Sequence, residues 1–80
     1  MITGAQVRAA KALLDWSGTR LAEEAGVAIS TIRRVEACDG LLDTASIKVL
    51  QALKNALENG GIEFIGTPED RPGVRLNNFK

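Results

Sequence analysis

Residues 18–37 read Gly18-Thr19-Arg20-Leu21-Ala22-Glu23-Glu24-Ala25-Gly26-Val27-Ala28-Ile29-Ser30-Thr31-Ile32-Arg33-Arg34-Val35-Glu36-Ala37, and this stretch decides the fold. Two short helices crossing through a tight turn account for the order of its residues. Ala22 is small where the second helix passes close, and Gly26 supplies the positive φ that the turn demands. Leu21, Ala25, Val27, Ile32 and Val35 fill the wedge between the helices. Each of these residue choices matches a helix-turn-helix.

Projecting the second helix of the pair, about 29–37, at roughly 100° per residue separates its faces. Ile32 and Val35 mark the buried side. Ser30, Arg33 and Arg34 point roughly opposite, and Ile29 sits at the leading end. A bare Arg pair is ordinarily a solvated helix face. At the exposed side of such a helix it is also what a groove of nucleic acid requires.

Working upstream, Thr3-Gly4-Ala5-Gln6 has the form of a capping box, with Thr3 as N-cap and Gln6 reaching back. Val7, Ala10, Leu13 and Leu14 recur at helical spacing, which predicts a first helix over about residues 4–15. Trp16-Ser17-Gly18 breaks it, and Ser17 caps a second helix that ends at Gly26. Trp16 is expected in the core.

Downstream, the third helix is expected to stop near Asp39-Gly40. A loop with Leu41 and Leu42 leads to Thr44, which caps a longer helix over about 45–58. Its stripe is Ile47, Leu50, Leu53 and Leu57, widened by Val49, Ala52 and Ala56, a face broad enough to need two covering surfaces. Gly60-Gly61 ends that helix. Ile62-Glu63-Phe64-Ile65 and Val74-Arg75-Leu76 then alternate as strands do, separated by the Pro/Gly-rich stretch 66–73, which predicts a β-hairpin with a loose loop. An isolated hairpin is marginal at best. Its apolar face, Ile62, Phe64, Val74 and Leu76, must pack on a helix or on another chain. The expected organisation is a helix-turn-helix domain over 1–59 and a hairpin and tail over 60–80 that serves as the dimerisation element.

Composition narrows the chemistry. Eighty residues, 45% of them hydrophobic and 25% charged, suit one small domain with a single core. The chain has no His and no Tyr, and its one Cys, Cys38, permits neither an internal disulfide nor a cysteine zinc site. No enzyme, metal or cofactor is expected. Glu23 and Glu24 read as solvated surface. Arg8, Lys11 and Asp15 interrupt the N-terminal apolar stretch, and no run is long enough for a membrane span, so the expected location is cytoplasmic. Ten basic and ten acidic residues leave a net charge of zero. Bulk electrostatics therefore do not make this chain a nucleic-acid binder, and positive charge would have to be concentrated on one face.

Residues 4–58 resemble the phage-repressor/Cro-type (XRE) helix-turn-helix family. Arg8-Ala9-Ala10-Lys11-Ala12-Leu13-Leu14-Asp15-Trp16-Ser17 is similar to its first helix and Leu21-Ala22-Glu23-Glu24-Ala25-Gly26-Val27 to its second. Thr31-Ile32-Arg33-Arg34-Val35-Glu36 is similar to its third, and Ala45 to Leu57 to its fourth. The resemblance implies a mainly α, four-to-five-helix repressor-like DNA-binding domain, here with a C-terminal β-hairpin outside the shared core. The helix over 29–37 becomes the recognition helix, whose N-terminal part meets base edges in the major groove. Arg34 can fork onto guanine and Ser30 can donate or accept. Ile29 either touches a thymine methyl or staples the helix entry into the core. Arg33 is placed for phosphate, as are the backbone amides at Ser17, Gly18 and Thr19. Lys11 and Glu36 occupy positions where the family joins helices one and three by an ion pair. Three departures stand out: Gly18 where the family usually has Gln, Ala28 where Ser or Thr caps, and Ala37-Cys38-Asp39-Gly40 where basic residues are common. Arg8, Arg20 and Lys48 are the nearest substitutes.

The implied function is that of a sequence-specific transcriptional regulator, a homodimeric repressor on a palindromic operator, with double-stranded DNA and a second copy as partners. The alternative is a protein-interaction module, such as an antitoxin or anti-activator, that grips a second protein through the hairpin.

Overall fold

The computed structural model describes residues 2–37, 47–67 and 69–77. Among them the chain forms α1 (Gly4–Leu14), α2 (Gly18–Ala25), α3 (Ile29–Glu36), α4 (Ile47–Asn59), β1 (Ile62–Thr67) and β2 (Asp70–Leu76). The expected cap at Thr44 and the expected stop near Asp39-Gly40 lie outside the described residues, as do Cys38, Leu41 and Leu42. No helix among the described residues is long and apolar enough to cross a membrane.

Local signals set the helix ends. The Gln6 amide donates to Thr3 Oγ1 at 3.1 Å and the Thr3 amide to Gln6 Oε1 at 2.8 Å, the reciprocal box predicted for α1. At the far end Asp15 takes the left-handed conformation (φ 57°). The Trp16 amide then donates to Lys11 O at 2.9 Å, closing the helix as a glycine otherwise would. Ser17 caps α2, accepting from the Arg20 amide at 3.0 Å. Gly26 ends it at φ 71°, and the Val27 amide returns to Ala22 O at 3.0 Å. Ala28 begins α3 without a side-chain cap, as its chemistry requires.

The core is assembled from all four helices and β1, with Ile2 ahead of α1: Ile2, Val7, Ala10, Leu21, Ala22, Ile32, Val35, Leu50, Leu53, Ala56, Leu57 and Ile62 are all buried. Leu13 is the exception on the expected stripe of α1, 45% exposed while Leu14 packs inward. At 100° per residue Leu13 lies well off the direction shared by Val7, Ala10 and Leu14, so the core cannot reach it.

One reading of the C-terminal region needs correction, and a second is filled in by the structure. A loose loop was expected over 66–73, whereas the strands continue until Thr67 pairs with Asp70. Gly66 makes this possible. It sits at φ 74° in a bulge between Ile65 and Thr67, where a Cβ would lie 2.2 Å from Arg71 O. Its substitution by any other residue would open the turn.

The second finding concerns the face expected to serve dimerisation. Ile62 stands opposite Leu76 and Phe64 opposite Val74, so the four residues do share a face. That face turns onto the chain's own helices. Ile62 is 3% exposed and belongs to the core, Phe64 and Val74 are half-buried against it, and only Leu76 keeps substantial exposure. β2 lies against α1 and β1 against α4. Helices and hairpin thus share one core, and a boundary at 59–60 separates no independent packing units. Polar anchoring adds to this: Gln6 Nε2 donates to Gly73 O at 2.9 Å and to Ile65 O at 3.4 Å. The buried carboxamide uses its oxygen to cap α1 and its nitrogen to hold the hairpin.

Candidate nucleic-acid interface

The α2–turn–α3 unit is held from within. Ile32 has no exposed surface and Val35 retains 3%, so α3 is locked by its inner face against Leu21 and Ala22 and the rest of the core. The outward residues Ser30, Arg33, Arg34 and Ala37 are exposed. Thr31 and Ile29 are half-buried, with Ile29 packed on the core. Of its two expected roles, the helix-entry staple is the one whose contacts are present.

Two side chains from α1 tie down the end of α3. Lys11 Nζ lies 2.7 Å from Glu36 Oε2, with the side chains 18% and 17% exposed. Arg8 Nη1 donates to the Glu36 carbonyl oxygen, in the last turn of α3. The ion pair thus joins the helices named for it. Arg8 belongs to the same strap, on the side of α1 it shares with Lys11 one turn away. This role was not foreseen, although the three-residue spacing from Lys11 was the available signal. Gln6, read only as a capping residue, was missed as the hairpin anchor. Its spare amide donors, once the oxygen is assigned to the cap, were the clue.

At the start of α2, Ser17 Oγ is engaged by the Arg20 amide, while Thr19 is exposed and Gly18 half-buried. Arg20, a candidate substitute for the missing basic contacts, is committed elsewhere. Its guanidinium lies 4.9 Å from the centroid of the half-buried Trp16 ring, and its Nε is 2.8 Å from Glu24.

The distribution of charge is uneven despite the zero net value. Lys11, Arg20, Lys54, Arg71 and Arg75 all sit in ion pairs with Glu36, Glu24, Glu58, Asp70 and Glu63. Arg33 and Arg34 have no acidic partner among the described residues, and neither has Lys48. Two adjacent uncompensated guanidiniums therefore project from one face of α3, where Glu36, the acid of that helix, is turned away toward Lys11. Such a face suits a polyanion: bidentate donors at its centre, a hydroxyl at Ser30, and a rigid helix beneath.

Neither any known protein family nor any curated protein matches this chain in sequence.

Proposed function

We propose that this chain is a sequence-specific DNA-binding transcriptional regulator of the helix-turn-helix kind, with α3 entering the major groove. One observation carries the reading: the outer face of α3 presents Ser30, Arg33 and Arg34 with no acidic partner among the described residues, on a helix whose inner face is fully packed. Arg34 reads guanine, Ser30 contributes a hydroxyl contact, and Arg33 holds phosphate together with the amides at Ser17, Gly18 and Thr19. A chain this small spans few base pairs, so useful specificity calls for a symmetric dimer on a palindrome with half-sites about 34 Å apart. Repression by occupancy is the simplest output of such a dimer. Among the described residues, Leu13, Ile47, Ile65 and Leu76 are large apolar side chains left exposed and open to a second copy.

The interaction-module reading needs the hairpin's apolar face to be free, and Ile62 is enclosed within the chain. It is the weaker of the two.

Selection of bound fragments from random DNA, followed by Arg34→Ala on the selected site, tests the proposal. A palindromic site is expected, and the substitution is expected to weaken binding by about 1–3 kcal/mol and relax one base position, with stability changed by less than about 0.5 kcal/mol. An unaltered base preference would remove Arg34 as a reader. Failure to recover any site would remove the proposal.

A further inference from the structure

Gly18 opens α2, yet its backbone does not require glycine: it is absent from the residues of positive φ, which include Gly26, Gly61 and Gly66. Glycine also weakens a helix relative to alanine. The reason for it must lie in space. A Cβ at position 18 would stand 3.3 Å from Ile29 Cδ1, 3.7 Å from Ile32 Cγ2 and 3.7 Å from Lys11 Nζ. The tip of Ile29 therefore lies in the room that the missing side chain leaves. Ile29 is the first residue of α3, half-buried between the core and solvent, and its Cδ1 is the end of a rotatable side chain. Of the three neighbours it is the nearest and among the easiest to displace. Ile32 is wholly buried, and Lys11 is held by Glu36.

We infer that Gly18 is a specificity-determining position for the groove-reading function proposed above, acting through Ile29. With glycine at 18, Ile29 folds back over the start of α2 and is withdrawn from the bases, so reading begins at Ser30. A Cβ alone asks the tip of Ile29 to give by a few tenths of an ångström, whereas a larger, branched side chain at 18 takes the space of that tip and turns Ile29 outward from the leading end of α3, toward the groove. An apolar group there favours the thymine methyl, the one apolar mark that the major groove offers. The pair 18/29 thus decides whether the head of the recognition helix reads by hydroxyl or by apolar contact. The inference rests on the regulator reading, and its two arms separate the two.

The first arm needs no DNA. Gly18→Ala is made in the native chain and in Ile29→Ala, and thermal midpoints are compared. Alanine is expected to raise the midpoint in the Ile29→Ala background and to raise it less, or lower it, when Ile29 is present. Equal shifts in both backgrounds overturn the inference. The second arm is selection from random DNA with the native chain, Ile29→Ala and Gly18→Val; Gly18→Ala takes the last place should the valine variant not fold. Ile29→Ala is expected to leave base preferences unchanged. Gly18→Val is expected to gain about a fourfold preference for thymine at one position per half-site, the worth of one buried methylene-sized group. Loss of a base preference in Ile29→Ala, or no new preference in the position-18 variant, overturns the inference. If the native chain selects nothing, the regulator reading itself fails, whatever the melting comparison shows.

Discussion

The two ends of this molecule handle charge in opposite ways. At the hairpin, both described arginines are paired within the chain, Arg71 with Asp70 and Arg75 with Glu63. Arg75 Nη2 lies 2.7 Å from Glu63, and Asn77 Nδ2 donates to the same carboxylate at 3.0 Å, while the acid Glu69 has no basic partner among the described residues. At α3, the acid is turned inward to Lys11 while Arg33 and Arg34 have no acidic partner among the described residues. The apolar faces differ less, since both are spent on the common core. A surface that satisfies its own charges asks for no partner. One that leaves two guanidiniums unmatched on a rigid helix is built to meet charge from outside. On this contrast we take the hairpin as scaffold and α3 as the proposed working face.

The largest test removes the scaffold. Cutting after Gly60 deletes Ile62 from the core, uncovers the faces that Phe64 and Val74 pack against, and strips Gln6 of both carbonyl partners. Loss of Ile62 alone, as Ile62→Ala, should cost about 2–5 kcal/mol, a large share of the stability of so small a domain. The truncated chain is therefore expected to lose its cooperative thermal transition. A truncated chain that stays folded and merely turns monomeric would restore the hairpin as a dedicated dimerisation element.

How far this was legible follows from which interactions are local. Thr3, Ser17 and Gly26 announce helix ends through partners three to five residues away, and each stands where its side chain or its missing one predicts. Alternation likewise put Ile62, Phe64, Val74 and Leu76 on one face. What that face meets depends on contacts across most of the chain, such as Gln6 to Gly73, and no periodicity encodes them. The extent of the strands was lost for another reason. Gly66, Pro72 and Gly73 read as loop by type, but in place they serve a bulge, an edge without need of a donor, and a close approach by Ile65. At the working face, the exposure of Ser30, Arg33 and Arg34 was open to a helical projection. The role of Gly18 was not, because it depends on where the tip of Ile29 comes to rest.

A second, smaller effect concerns the strap that holds the working face. In Glu36→Gln the Lys11 ammonium keeps its enclosure and loses its counter-charge. Complete burial of such a pair would make this cost about 3–5 kcal/mol. With 18% and 17% of the side chains still meeting water, about 2–3 kcal/mol is expected. Chemical denaturation checks it. A variant as stable as the native chain would show that α3 is held without this pair, by Ile32, Val35 and the Arg8 bond to the Glu36 carbonyl.

The smallest effect is expected at the hairpin's outer face, and it sharpens the contrast through pH. Hydrogen bonds from Arg75, and then from Asn77, hold the Glu63 carboxyl below the ordinary glutamate value, while Glu63 raises Arg75. A carboxyl whose folded pKa is depressed binds protons less readily than in the unfolded chain. Its contribution is present above the unfolded value of about 4.5 and fades as pH falls through the depressed folded one. Both groups are exposed, so the contribution is slight and screened by salt. Melting midpoints of the native chain and Glu63→Gln should therefore differ a little at pH 7 in low salt and converge as pH falls below that window. No such convergence is expected for Arg34→Ala, which removes no ion pair among the described residues. A native chain that loses nothing relative to Glu63→Gln on acidification would mean that the charges of the hairpin are no better matched than those of α3, and the division of the molecule into scaffold and working face would lose its electrostatic basis.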